Sequence, residues 1–465
     1  MRERKPTLWQ ALLAVAAAAA IISCGILFFD GADAVPVLLL LAIGPAAVIA
    51  LAIGVPWREI ERGLVEGMTL ALKALAILIV VGAAIAAWAA SGTIAVMIDY
   101  GLAVLGPRAF LPAAVVICAV VSLAIGSSWA TAATVGVALM GIGGALGVSP
   151  AMSAGAVLSG SYFGDKMSPL SDTTNLAPGI AGAELFEHIH AMLYTTVPAI
   201  VLALIGFTVL GLATAADPAS FDTASVETLR TALAGGQRLG FWLLAPPVLV
   251  VGLAIFRVPA LPVLVIATVV GAALAMIFQG ATVGGILVEL YSGHVSATGD
   301  PAVDKLLSRG GIESMAYTIA LVLCATAFGG VLERVGFIQV LLEALLRRVK
   351  RSRGLIAATV FAAVGTNFLI AEQYLSIVLP GRMFKDAYTR FGLQPRMLSR
   401  TLEDAGTVTS PLCPWNSCGA YMTAALGVAT FSYLPFALFN LAMPLISLIY
   451  AAAGIFILRS TSNPR

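Results

Sequence analysis

Charge is scarce in this sequence: Asp, Glu, Lys and Arg together make up 11% of 465 residues, against 60% hydrophobic residues. A mean hydropathy of +0.99 excludes an ordinary soluble domain and describes an all-α polytopic membrane protein. The formal net charge of +2 is too small to suggest a nucleic-acid partner. Histidine is nearly missing, with three residues, and the five cysteines have no zinc spacing, so a catalytic metal site is not expected. An odd cysteine count also argues against a disulfide framework. No G-x-x-x-x-G-K-[ST] phosphate loop occurs, and Gly164-Asp165 has no second aspartate in a matching motif, as an intramembrane aspartyl protease would need. The chain is expected to be no enzyme and to hold no cofactor.

What polar sequence there is recurs. Gly164-Asp165-Lys166-Met167-Ser168-Pro169-Leu170 returns as Gly406-Thr407-Val408-Thr409-Ser410-Pro411-Leu412, an offset of 242 residues from 168 to 410. Both copies read G-x-x-x-S-P-L. A proline inside a helix removes its own hydrogen bond and frees the carbonyl four residues earlier. Pro169 would free the carbonyl of Asp165, and Pro411 that of Thr407. Two such breaks at matching positions of two halves point to a transporter's binding site.

Candidate crossings cover residues 8–29, 35–54, 68–90, 192–212, 241–256, 261–278, 315–332 and 433–458, with broken helices at 152–180 and 397–428. Most approach the ~20 residues needed to span the hydrocarbon. The N-terminal run lacks a small-residue cleavage site and is expected to be retained. Two further stretches, 110–140 and 355–383, are too long for one crossing and short for two. They are interrupted by Gly126-Ser127-Ser128 and Gly365-Thr366-Asn367. Arg347, Arg348, Lys350, Arg351 and Arg353 precede the second stretch, and Arg382, Lys385, Arg390, Arg396 and Arg400 lie at or beyond its end. Both of its ends are therefore expected on the cytoplasmic side, which makes it a re-entrant hairpin. The first stretch lacks this positive charge and reads as its mirror image. The expected architecture is two inverted repeats, 1–213 and 241–465, joined by an extracytoplasmic linker at 214–240. Each has about five transmembrane helices plus one re-entrant helical hairpin, and both termini are cytoplasmic.

Ionisable groups at membrane depth cost ~2.5–3.5 kcal/mol each and usually mark a pathway. Asp165, Asp172 and Asp404 lie in the broken helices, and Glu372 follows the second tip. Asp172 is the first choice, because the run Ser171-Asp172-Thr173-Thr174-Asn175 is almost wholly oxygen-bearing. Ser168, Thr409, Ser410 and Asn416 add oxygens at the breaks, while Ser127, Ser128, Thr366 and Asn367 at the tips are expected to meet them. Such hard oxygens suit Na+, with Asp172, Asn175, Ser128 and Asn367 as candidate ligands. Competing structural roles are a salt bridge from Asp165 to Lys166, a place for Asp404 beside Glu403 and Arg400 at a cytoplasmic helix end, and pairing of Glu372 with Arg382 or Lys385. His188 and His190 are expected on a solvated face.

The run from Ser159 through Gly164-Asp165-Lys166-Met167-Ser168-Pro169-Leu170-Ser171-Asp172-Thr173-Thr174-Asn175 to Ala177 resembles the signature of NhaC-type Na+/H+ antiporters. Residues 407–421, with Thr409-Ser410-Pro411-Leu412-Cys413-Pro414-Trp415-Asn416, resemble the second signature of the same family. Together with Gly126-Ser127-Ser128-Trp129, the match covers essentially the whole chain. The resemblance implies the ion-transporter superfamily of inverted repeats with paired hairpins, a scaffold domain that forms a homodimer, and a transport domain that moves as an elevator. It implies exchange of Na+ for H+ across the cytoplasmic membrane, in which Asp172, partnered by Asp165 and Asp404, binds either the metal or a proton. Relatives of this type also exchange organic anions such as malate and lactate, so Na+- or H+-coupled exchange of a small organic anion is the alternative. Cys413 and Cys418 leave fewer hydroxyl ligands in the second signature, which favours the first half as the stronger cation site.

Overall fold

Long apolar runs punctuated by glycine and proline fold into helices throughout, as the sequence leads one to expect. The computed structural model describes residues 5–29, 34–214, 230–233, 235–256 and 258–460. Arg2 and Arg4, most of the linker 214–240 and Arg465, on which the expected sidedness partly rests, lie outside them. Among the described residues there is no strand, only an isolated bridge between Leu393 and Arg459.

The first half comprises α1 (Leu8–Phe28), α2 (Val35–Ala52), α3 (Trp57–Leu70), α4 (Leu72–Ser91), α5 (Thr93–Val104), α6 (Pro107–Ile125), α7 (Ser128–Ala145), α8 (Pro150–Met167), α9 (Asp172–Ala181) and α10 (Leu185–Thr214). The second comprises α11 (Phe241–Ile255), α12 (Ala260–Gln279), α13 (Val283–Ser292), α14 (Pro301–Leu307), α15 (Glu313–Val335), α16 (Phe337–Arg347), α17 (Ser352–Ile370) and α18 (Gln373–Arg390). It continues with α19 (Pro395–Leu402), α20 (Ser417–Leu426), α21 (Thr430–Phe436) and α22 (Leu438–Ala453). Nine of the described helices are long and apolar enough to cross a membrane, or ten if the bent pair α21–α22 counts as one span. The protein is a multi-pass membrane protein.

Local conformation recurs at a similar spacing outside the G-x-x-x-S-P-L motif. Left-handed residues stand at Gly126 and Ala371 between the paired helices, and at Gly182 and Gly427 after the short half-helices. Both pairs are 245 residues apart, from 126 to 371 and from 182 to 427. The half-helices α9 and α20 have ten residues each. The motif offset is 242, so the second break carries three extra residues between its proline and its half-helix. Ser410-Pro411-Leu412 accordingly forms a 3-10 turn that continues the helical segment, and the chain leaves helix only over Cys413–Asn416.

One expectation needs correcting. The second tip is not Gly365-Thr366-Asn367, which stays helical inside α17, but Ala371-Glu372, with Ala371 at φ 63° and Glu372 capping α18. Thr366 bonds back to the Ala362 carbonyl, which lets it sit in a helix without breaking it. Glu372 therefore lies at the tip itself rather than five residues beyond it.

Helices α6–α10 and α17–α22 pack chiefly on one another, as do α1–α5 and α11–α16. Small residues allow the close approaches. A Cβ at Gly160 or Gly164 of α8 would run into the carbonyls of Val115 and Ala119 on α6, and one at Gly67 of α3 into that of Thr326 on α15. Arg334 at the end of α15 clasps Glu59 of α3 at 2.6 Å. Its hydrogen bond holds the half-buried Glu59 carboxyl below the usual carboxylate range. Every broken helix and both tips belong to the first group of helices.

Candidate functional site

The first tip and the first break are built against each other. Gly126 adopts φ 74°, and a Cβ there would collide with Leu170 and the backbone entering Ser171. Only glycine takes this conformation and this space without strain. Ser127 then caps α7 by accepting from the Ala130 amide. Ser128 donates both its amide, at 3.1 Å, and its hydroxyl, at 2.6 Å, to one carboxylate oxygen of Asp165. Asp165 is buried, as is Ser128.

Pro169 acts as its chemistry predicts, but the carbonyls freed at the break have been taken up by hydroxyls. Thr174 donates to the carbonyls of Asp165 and Lys166, at 3.2 and 3.0 Å. Ser168 donates to Leu123 on α6. Asn175 uses its amide on the Pro169 and Ser171 carbonyls. These residues hold the break open as a fixed shape.

The second break is tied by side-chain amides. Asn367 donates to the Gly406 carbonyl at 2.6 Å and to Thr409 at 3.0 Å. Asn416 donates to the Asn367 side-chain oxygen and caps α20 by accepting from the Cys418 amide. Ser410 donates to Thr407, and Ser417 donates its amide to the Ala371 carbonyl. Glu372 accepts from the Leu375 amide and is a helix cap rather than a partner of Arg382 or Lys385.

The two halves meet at a cavity of about 810 Å3. Gly126, Ser127, Ser128, Asp165, Asp172 and Thr173 line it from the first half, and Glu372, Gln373, Tyr374 and Ser417 from the second. Trp129 beside the first tip stacks on Tyr421 of α20 with ring centroids 4.0 Å apart, and the tyrosine hydroxyl donates to the Trp129 carbonyl. Three carboxylates face this space, with Lys73 as the cation among its lining residues. Ser168, Thr174, Asn175, Thr366, Asn367, Thr409, Ser410 and Asn416 support its walls without lining it. Of the four candidate Na+ ligands, Asp172 and Ser128 line the cavity, whereas Asn175 and Asn367 hold the breaks. No group of three or more His, Cys, Asp or Glu that could hold a metal occurs among the described residues.

Asp172 sits at the mouth of the cavity rather than enclosed within it. Its side chain is 65% exposed and accepts from Lys73 of α4 at 3.1 Å and from the Tyr374 hydroxyl at 3.2 Å. Lys73 and Tyr374 escaped the sequence reasoning. The signal for Lys73 was present: it is the only charged residue in the apolar run from 67 to 98, and such a charge marks a pathway.

Behind the cavity lies a second polar centre. Lys166 does not pair with neighbouring Asp165. Its Nζ reaches Asp404 Oδ1 at 2.9 Å across the two halves, with both side chains fully buried. Thr195 of α10 donates to the same oxygen, and Arg400 Nε stands 3.8 Å from the other. Asp404 is thus held inside the helix bundle, not at a solvated helix end. Met192 approaches Lys166 from α10, and one turn earlier lies His188. That histidine is fully buried, and neither ring nitrogen is hydrogen-bonded among the described residues, contrary to the solvated face expected for it. His190 bonds to the Phe186 carbonyl.

Paired helix breaks, set against helix tips and lined by carboxylates within a bundle of span-length helices, define a membrane transport protein. A family model described as the Na+/H+ antiporter family matches residues 160–455. The chain belongs to that family, whose named relatives are transporters and not enzymes. It is 41% identical to the Na+/H+ antiporter NhaC of Alkalihalophilus pseudofirmus, over 97% of each chain. It is 35% identical to the malate-2H+/Na+-lactate antiporter of Bacillus subtilis, over 99% of this chain and 97% of that one. To the arginine/ornithine antiporter ArcD of Halobacterium salinarum it is 38% identical, over 97% and 93%.

Proposed function

We propose that this protein is a secondary active transporter that exchanges Na+ for H+ across the cytoplasmic membrane by alternating access. The observation that carries the reading is Asp165: a buried carboxylate at the junction of a helix break and a helix tip, opening on a cavity with Asp172 and Glu372. Na+ is met there by hard oxygens. The Ser128 hydroxyl, now donating to Asp165, can turn and offer its lone pairs to the ion, because a hydroxyl both donates and accepts. The C-terminal end of α8 adds a dipole that favours a cation. Asp172, held by Lys73 and Tyr374, receives the ion at the cavity mouth.

Repeats 1–213 and 241–465 lie inverted in the membrane in this reading, with α6–α7 and α17–α18 as the re-entrant hairpins and both termini cytoplasmic. The site-bearing helices move as an elevator against α1–α5 and α11–α16, which form the dimer scaffold. Supporting the movement, Lys73–Asp172 is an exposed contact between the two groups, and exposed ion pairs contribute little and break readily.

A second reading is coupled exchange of a small organic solute such as malate or lactate. It is favoured by a cavity much larger than a bare ion and by Lys73, a cation able to meet a carboxylate. The test is ion-driven pH change in proteoliposomes, with malate, lactate and amino acids supplied in parallel. Proton movement driven by Na+ alone supports the first reading; a strict need for an organic solute supports the second.

A further inference from the structure

Neither the cavity nor the ion pair accounts for Glu403. It opens a π-turn, Glu403–Thr407, between α19 and the second break, and such widened turns gather at functional sites. It is fully buried, and neither carboxylate oxygen has a hydrogen-bond partner among the described residues. The groups around it come from several helices. Lys166 and Asp165 face it from α8, Thr173 from α9, and Thr407 from its own turn. Asp404 and Arg400 flank it in sequence. Beyond Lys166 stands His188 of α10, and near Asp404 stands Tyr388 of α18.

With Na+ at Asp165, the charges in this buried group balance in only one state of Glu403. Lys166, Arg400 and the ion bring three positive charges, and Asp165 and Asp404 two negative. An ionised Glu403 makes the group neutral, whereas a protonated one leaves an excess positive charge. Uncompensated charge in a dry interior is costly whichever its sign. The excess would sit beside Asp165, the residue next to Lys166, where the transported cation arrives. A proton on Glu403 and Na+ at Asp165 therefore oppose each other, which is the relation an exchanger requires. Thr173 both faces Glu403 and lines the cavity, which gives protons a hydroxyl route between the carboxylate and water.

We infer that Glu403 carries the exchanged proton, at a site set apart from the cavity carboxylates that meet Na+, and that Lys166 couples the two electrostatically. The inference rests on the Na+/H+ reading. One O–H bond forms as the proton arrives from water on one side and breaks as it leaves to water on the other. Na+ moves the opposite way, and no other bond changes.

The experiment compares wild type with Glu403→Gln in proteoliposomes, measuring Na+-driven proton movement and, separately, exchange of radiolabelled Na+ for Na+, which needs no proton. Glutamine mimics the protonated acid permanently. Glu403→Gln is expected to lose proton movement while keeping Na+/Na+ exchange, with a raised half-saturating Na+ concentration that no longer changes with pH. In wild type that concentration rises as pH falls. Proton movement by Glu403→Gln, or a wild-type pH dependence of its Na+ exchange, overturns the inference. Should the variant be too weakly active to read, Glu403→Asp decides: coupled proton movement with a displaced pH profile supports the site, and its loss overturns it. A wild type that moves no protons under a Na+ gradient overturns the Na+/H+ reading and this inference with it, whereas failure in the variants overturns the inference alone.

Discussion

Lys166 and Asp404, 238 residues apart in the chain, meet at 2.9 Å with no solvent exposure on either side chain. Their pairing locks the first broken helix to the second. Removing one member of such a pair leaves an uncompensated buried charge, at a cost of ~3–5 kcal/mol. Lys166→Met and Asp404→Leu are each expected to lower thermal stability in detergent sharply. The double variant is expected to recover most of the loss, because one positive and one negative charge are removed together and the buried net charge is unchanged. If the double is as unstable as the sum of the singles, the pair is not the joint described here.

Asp165 and Asp172 occupy different settings, and their substitutions should separate. Asp165→Asn keeps an oxygen able to accept from Ser128 but removes the buried charge that meets the cation, and is expected to abolish Na+-dependent transport. Ser128→Ala removes one hydrogen bond to a charged group, ~1.5–3 kcal/mol, and should weaken apparent Na+ affinity by about 10- to 100-fold. Asp172→Asn, at the exposed mouth, should leave more activity than Asp165→Asn. The reverse order in a proteoliposome assay would return the principal cation site to Asp172.

The two tips respond oppositely to substitution. Gly126→Ala forces a side chain into the left-handed region, ~1–2 kcal/mol, and into Leu170. It is expected to lose both stability and exchange. Ala371→Gly relieves the same conformation at the second tip and should be neutral or slightly stabilising. Equal effects in thermal unfolding would show that the tips are not conformational equivalents.

Both ends of the α17–α18 hairpin are expected on the cytoplasmic face. Single cysteines introduced near Arg353 and Lys385, in a background lacking the native thiols, should be labelled by an impermeant reagent from the same side. Labelling from opposite sides would make α17 and α18 two crossings and remove the inverted arrangement.

Much of this was legible in the amino-acid order alone. The apolar runs demanded helices, and Pro169 demanded a break with its partner residues at hand. Gly126-Ser127-Ser128 demanded a turn that only glycine fits closely. The two signature runs identified the family. The second tip was not legible. Thr366 and Asn367 look like helix breakers, yet both find acceptors from within or beside α17, while Ala371 turns left-handed against its own preference because the Ser417 amide and α15 hold it there.

Apart from the second tip, local sequence settled where the helices around the site stop and break, because capping, proline and glycine act within a few residues. Which carboxylate is buried, and which cation answers it, was decided by packing between segments about 100 to more than 200 residues apart. Lys166 turns from Asp165 to Asp404, Asp172 is held outward by Lys73 and Tyr374, and Glu403 is enclosed with no hydrogen bond to its carboxylate among the described residues. A charge takes its character from everything that desolvates it, and that surrounding exists only once the two halves have closed on each other.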